Sequence, residues 1–225
     1  HMRRMRAVSE FLSAGTKMKL HRAQIQAITL GITIFFINSC QNVISPNLSA
    51  AAHEFGYNEF EKDQKLGANL AFAYFTVRIP VSMMCGCTMD FDFINRVRVL
   101  QVAVFIAAVS CLSTYSAASY KQLLACRFFT GLGVSAATSV TFSILFDIFE
   151  RQREIVNTAV LLSITAGIAF GNLIAGAIEY HGHWRSPFWV ASIPAFLCLL
   201  ALQFLVHDAA RGMYDVHVCH MMRHC

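Results

Sequence analysis

Charge is scarce in this chain. Lys, Arg, Asp and Glu together supply 14% of its 225 residues, against about a quarter in an ordinary soluble domain. Hydrophobic residues make up 56%. A surface so poor in charge does not suit water, and the composition reads as that of an integral membrane protein. Carboxylates are absent from the middle of every long apolar run. Asp90, Asp92 and Asp147 fall at run edges, and Glu54, Glu59, Glu61 and Asp63 fall between runs. Proton coupling through a buried acid therefore has no candidate residue. A catalytic constellation is also lacking, since histidines lie outside the runs and serines such as Ser163 have no partner base beside them. No enzyme activity and no cofactor are expected.

Six apolar runs remain, near Ala23 to Ser45, Leu66 to Met89, Val97 to Tyr115, Gln122 to Phe146, Ile155 to Ile178 and Pro187 to Val206. Each is close to the roughly 20 residues that cross about 30 Å of hydrocarbon at 1.5 Å per residue. The expected class is all-α: a polytopic membrane protein of six transmembrane helices. Its three sections are a basic segment over 1–22, a six-helix bundle over 23–206 and a polar tail over 207–225. Only the connection from Pro46 to Lys65 is long.

Charge in the connections orients the bundle. Twelve Lys and Arg fall on one side: Arg3, Arg4, Arg6, Lys17, Lys19, Arg22, Arg96, Arg98, Arg151, Arg153, Arg211 and Arg223. Lys62, Lys65, Lys121 and Arg185 make four on the other, and Arg78 and Arg127 lie inside runs. The positive-inside bias then puts both termini in the cytosol and makes the first run a signal anchor. The net charge of +5 is accounted for by that topology, so nucleic acid is not an expected partner.

Six of the eight cysteines sit in apolar runs, where they act as small hydrophobes, and no structural disulfide is expected. The tail "HVCHMMRHC" gathers His217, Cys219, His220, His224 and Cys225 without a usual zinc spacing. A disordered end is the expectation there, and no metal.

The fourth run poses the sharpest question. Arg127 lies about six residues, or roughly 9 Å, into a helix, where a guanidinium facing lipid is costly. Gly131, Gly133, Ser135, Ala136 and Ala137 continue a thin surface on which another backbone can close. A packing seam with a snorkelling arginine is one reading, and a polar helix contact on a transport pathway is the other.

Arg127-Phe-Phe-Thr-Gly131-Leu-Gly133 resembles the R-x-x-x-G-x-G fourth-helix motif of the major facilitator superfamily. The connection after the second run offers Gly86, Asp90, Asp92, Asn95, Arg96 and Arg98, similar to the family's G-x-x-x-D-x-x-G-R-x-x-R loop. With Asp90 as the loop acid Arg96 comes two residues late, and with Asp92 Gly86 is two residues early. Asp147 and Arg153 follow the fourth run. Gly167, Gly171 and Gly176 mark a glycine-rich fifth run, and Trp184-Arg185-Ser-Pro187-Phe188 is similar to the family's W-R-x-x-F entry. Asn95 in the usual glycine place is a variant associated with spinster-like carriers of lipids and organic anions.

The resemblance implies one half of a two-bundle carrier, which binds a small solute between halves and needs a second six-helix half or another copy as partner. It also implies that the cavity is lined by the first, second, fourth and fifth helices. Polar residues deep in those runs are Asn38, Gln41, Asn42, Asn69, Arg127, Thr138, Asn157 and Asn172. Asn38 and Asn42, four apart on one face, rank first. Helix-to-helix hydrogen bonding is the alternative for each amide. For Arg78, beside Pro80, three readings stay open: cavity lining, interhelical pairing, or a lesion in a non-functional copy. The arginines favour an anionic solute. A truncated carrier, a non-transporting membrane partner of a full-length relative, and a six-helix carrier or channel of another family are the competing identities.

Overall fold

The computed structural model describes residues 2–89, 94–179 and 184–206, with no account of side chains before His21. Six helices are long and apolar enough to cross a membrane: His21–Asn42, Glu59–Thr88, Arg96–Tyr115, Tyr120–Ile148, Glu150–Ile178 and Ser186–Leu205. They are called the first to sixth spans below. All six expected runs are present, shifted by a few residues at most ends. The first span belongs to a helix that begins at Met2, so helix runs without a break through the expected 22/23 boundary.

The second span differs most from expectation. It begins at Glu59 and not near Leu66, because a helix start there is set by polar chemistry that an apolar scan passes over. The Glu61 carboxylate accepts from the Asn58 backbone N–H at 3.3 Å, and Lys65 pairs with Glu61 one turn on. Residues Lys62–Asn69 form a π-helical stretch, from which regular helix continues at Leu70. The connection before it is not irregular either. A short helix, Leu48–Phe55, ends at Gly56, whose φ of 69° is left-handed and suits glycine.

Glycines set how closely the spans approach. A Cβ at Gly133 would stand 2.7 Å from the Ala103 carbonyl oxygen, and one at Gly131 would stand 2.6 Å from that of Tyr74. At Gly167 and Gly171 it would run into the carbonyls of Phe35 and Ser39. The fourth span therefore closes on the second and third, and the fifth closes on the first. Gly176 corrects an expectation: a Cβ there would meet no described atom within 4 Å, so open space and not packing surrounds it.

Two apolar clusters fill the bundle. One joins Leu30, Ile34, Leu100, Val104, Val140 and Leu202. The other, toward the short helix, joins Cys40, Leu66, Cys111, Leu123, Trp184 and Phe188. The cysteines described are free.

Candidate functional site

The polar centre of the bundle is built on Gln41, near the end of the first span. Its backbone carbonyl accepts from Arg127 Nη1 at 2.7 Å, and its side-chain Oε1 accepts from Arg78 Nη1 at 3.3 Å. Arg78 also donates to the Tyr74 hydroxyl at 2.9 Å. Two arginines from the second and fourth spans thus converge on one residue of the first. The carbonyl is available because it lies in the last turn of its helix, where carbonyls lack intrahelical partners.

The local sequence explains the geometry. Gly131, one turn beyond Arg127, lets the Tyr74 backbone reach the fourth span, which carries Tyr74 and then Arg78, one turn further, toward Gln41. Arg127 is 4% exposed, and its guanidinium lies 5.3 Å from the centre of the Phe188 ring. Its Nε and Nη2 have no hydrogen-bond partner among the described residues.

Among the described residues neither arginine has a carboxylate partner. The ion pairs among the described residues are Lys62–Glu59, Lys65–Glu61, Arg96–Asp147 and Arg185–Glu54. A buried cation without a counter-ion is costly, so this centre can gain free energy by taking up an anion or water.

The other expected cavity residues are arranged less simply. Asn38 is fully buried. It donates to the Ile34 carbonyl of its own helix at 2.8 Å and leaves Oδ1 without a partner. Asn42, one turn on, is half-buried, so the pair ranked first does not act as one exposed face. Thr138 spends its hydroxyl on the Val134 carbonyl at 2.7 Å. Asn172 is half-buried with Oδ1 unpaired. Asn69 and Asn157 are exposed, on the second and fifth spans. Tyr74 was not anticipated, and the sequence marks Phe188 only as part of the entry to the sixth helix, not as a neighbour of Arg127. The spacing from Tyr74 to Arg78 on one helix face was the available signal. A cluster of Phe35, Phe36 and Phe170, with ring centres 5.1 to 6.3 Å apart, joins the first span to the fifth.

A second polar cluster lies at the other end of the bundle. Arg96 donates through Nε to the Met89 carbonyl at 2.9 Å and pairs with Asp147 at the end of the fourth span. Asn95 caps the third span, its side chain accepting from the Arg98 backbone N–H at 3.1 Å. Gly86, Arg98 and Arg153 are exposed. Asp90, Asp92 and the His/Cys tail lie outside the described residues.

The family model described as Major Facilitator Superfamily matches residues 30–214. An MFS-type transporter of Penicillium rubens is 21% identical over 80% of this chain and 32% of its own length. The sphingosine-1-phosphate transporter SPNS2 of Danio rerio is 28% identical over 70% of this chain and 32% of its own. The chain thus spans about a third of the length of these relatives. A crystal structure of a bacterial homologue of the human lysosomal transporter Spinster, inward-facing and unoccupied, superposes with a TM-score of 0.62 at 18% identity. The match covers 84% of this chain and 43% of that one. At that identity the likeness speaks for the fold.

Proposed function

Because the chain belongs to the major facilitator superfamily, we propose that it serves as one six-helix half of a carrier that moves a small organic anion across the membrane by alternating access. The observation that carries the anionic preference is the convergence of Arg78 and Arg127 on Gln41 with no carboxylate partner among the described residues. A carboxylate or phosphate entering there would meet the unpartnered Nε and Nη2 of Arg127, a charge-assisted and bidentate geometry. The Danio rerio relative, whose named substrate carries a phosphate, is in keeping with that choice.

Alternating access needs a second bundle rocking against the first around a shared site. The partner is a second six-helix half or another copy of this chain. Both termini lie in the cytosol on this reading, which the twelve-to-four distribution of Lys and Arg supports. Asn58→Cys, in the connection before the second span, then reacts with an impermeant thiol reagent added to intact cells. Reaction only after permeabilisation would reverse the orientation.

The function itself is tested in liposomes. Chain reconstituted at densities that permit pairing takes up organic anions saturably and leaves neutral sugars behind, and Arg127→Ala abolishes uptake while the protein stays in the membrane. Saturable uptake by strictly monomeric chain would remove the requirement for a partner. Equal uptake of neutral and anionic solutes would remove the anion. The second and fifth spans, whose apolar 18-residue stretches are each only 17% buried, also favour a second reading, in which the chain docks on a full-length relative without transporting. Co-purification with such a relative, without uptake by the chain itself, distinguishes it.

A further inference from the structure

On the far side of the fourth span from Arg127, the third and fourth spans leave a groove between them, about 760 Å³ in volume and so within the range of small-molecule sites. Gln122, Ala125, Cys126 and Phe129 line it from the fourth span, at the three- and four-residue spacing of one helix face. At about 100° per residue they stand between roughly 100° and 160° around the axis from Arg127. The groove therefore opens away from the polar centre and toward lipid.

We propose that it is a binding site for a rigid, planar polycyclic alcohol of the sterol class, taken from the leaflet on the side of the Pro46–Lys65 connection. Depth is the first reason. Along the third span the groove runs from Ser116 down to Phe105, eleven residues or about 16 Å, which is close to half of a hydrocarbon core about 30 Å thick. It holds a molecule that spans one leaflet and stops at the midplane.

Polarity is the second. The mouth carries Ser113, Ser116 and Gln122, all exposed. Gln122 Oε1 accepts from the Ala118 backbone N–H at 2.9 Å, while its amide N–H groups donate to no described residue. The floor carries Phe105 and Phe129, each 51% exposed. Among the described residues no charged side chain lines the groove, so a hydroxyl headgroup is matched at the mouth and a phosphate is not.

Shape separates the remaining occupants. A flexible acyl chain loses conformational freedom when it is confined in a groove, whereas a fused-ring body has little to lose. The two phenyl rings at the floor supply exposed aromatic surface on which such a body can pack.

A photoreactive sterol in nanodiscs containing the full chain tests this, with the labelled peptide identified by mass spectrometry. Label is expected within residues 105–129, competed by unlabelled sterol and not by excess phosphatidylcholine. Ala125→Trp, which fills the groove, reduces labelling by about fivefold or more, as a steric block of binding requires. Leu200→Trp on the exposed face of the sixth span leaves it unchanged. Because a bulky residue can impair folding, Gln122→Ala provides an independent arm: it narrows the preference for the alcohol over the corresponding 3-deoxy sterane while retaining ring binding. Label spread evenly over the exposed faces of all six spans, competition by phosphatidylcholine, or labelling indifferent to both variants would overturn the proposal.

Discussion

The fourth span and the second are comparably apolar, yet in the apolar 18-residue stretch of each, 61% of the fourth is buried and only 17% of the second. The fifth matches the second at 17%. Hydrophobicity does not separate them; the availability of a protein neighbour does. The fourth span, with Gly131 and Gly133, closes on two other spans and carries the buried arginine. The second and fifth each press one edge into the bundle, through Tyr74 and through Gly167 with Gly171, and turn the rest outward. Their outward faces hold Asn69, Thr76, Asn157 and Thr165 as well as apolar residues. A face meant only for lipid has little use for such groups, so under the two-bundle carrier proposed above these two spans are the faces to test for a second bundle.

The largest effect separates the inward and outward edges of a single helix. In the fifth span, Gly167→Leu drives a side chain into the Phe35 backbone and should cost about 3 kcal/mol, the upper range for overpacking. Gly176→Leu enters open space and should stay within about 0.5 kcal/mol. Thermal unfolding in detergent reads both, and equal losses would erase the distinction between the two edges.

Next in size is assembly. Thr76→Cys with Thr165→Cys places one thiol mid-way along each outward face. If copies pair through these faces, mild oxidation of the double variant gives a covalent dimer that neither the parent chain nor Leu200→Cys on the sixth span forms. Equal cross-linking from Leu200→Cys would mean that the outward faces of the second and fifth spans are ordinary lipid surface.

The same contrast explains how much was legible in the sequence. Number, order and rough limits of the spans could be read because the length of an apolar run is set by bilayer thickness alone. Which face of each span points inward could not. In a membrane both lipid and core are apolar, so the periodicity that marks the buried side of a soluble helix is largely missing. Asn38 shows the consequence: spacing alone paired it with Asn42, while the fold turns it inward to its own backbone. Arg127 was legible as a buried charge because its cost does not depend on direction. Its contact with the Gln41 carbonyl, and the use of Arg78 beside it, depend on a register between three helices that no local pattern encodes. Tyr74 could be missed for the same reason, since its place follows from Gly131 across the helix interface.

A smaller effect comes from the tie between Arg96 and Asp147, which joins the start of the third span to the end of the fourth. Arg96→Ala removes the ion pair and the bond to the Met89 carbonyl, and a loss of about 1–3 kcal/mol is expected for a partly buried charge-assisted pair. Asp147→Asn alone should cost less, since the amide oxygen still accepts. A double-mutant cycle between Arg96→Ala and Asp147→Ala isolates the coupling, and additive losses would show that the two residues act separately.

The smallest effect is expected at the opposite end, where Glu54 of the short helix accepts from Trp184 Nε1 and pairs with Arg185 at 2.8 Å. Arg185 also donates to the Ala117 carbonyl at 2.9 Å, so three connections meet at its guanidinium. The side chains of Glu54 and Arg185 are 44% and 26% exposed, and water and salt weaken a pair so placed. Glu54→Gln should therefore cost no more than about 1 kcal/mol, and less at high ionic strength. The amide retains an oxygen for the indole N–H, so the remaining loss reports the charge on Arg185. This cluster ties the connection before the second span to the entry of the sixth without touching the outward faces of the second or fifth. Glu54→Gln should accordingly leave the Thr76 and Thr165 cross-link intact while lowering thermal stability slightly. A variant that abolished the cross-link would instead make the short helix part of the surface on which the second bundle closes.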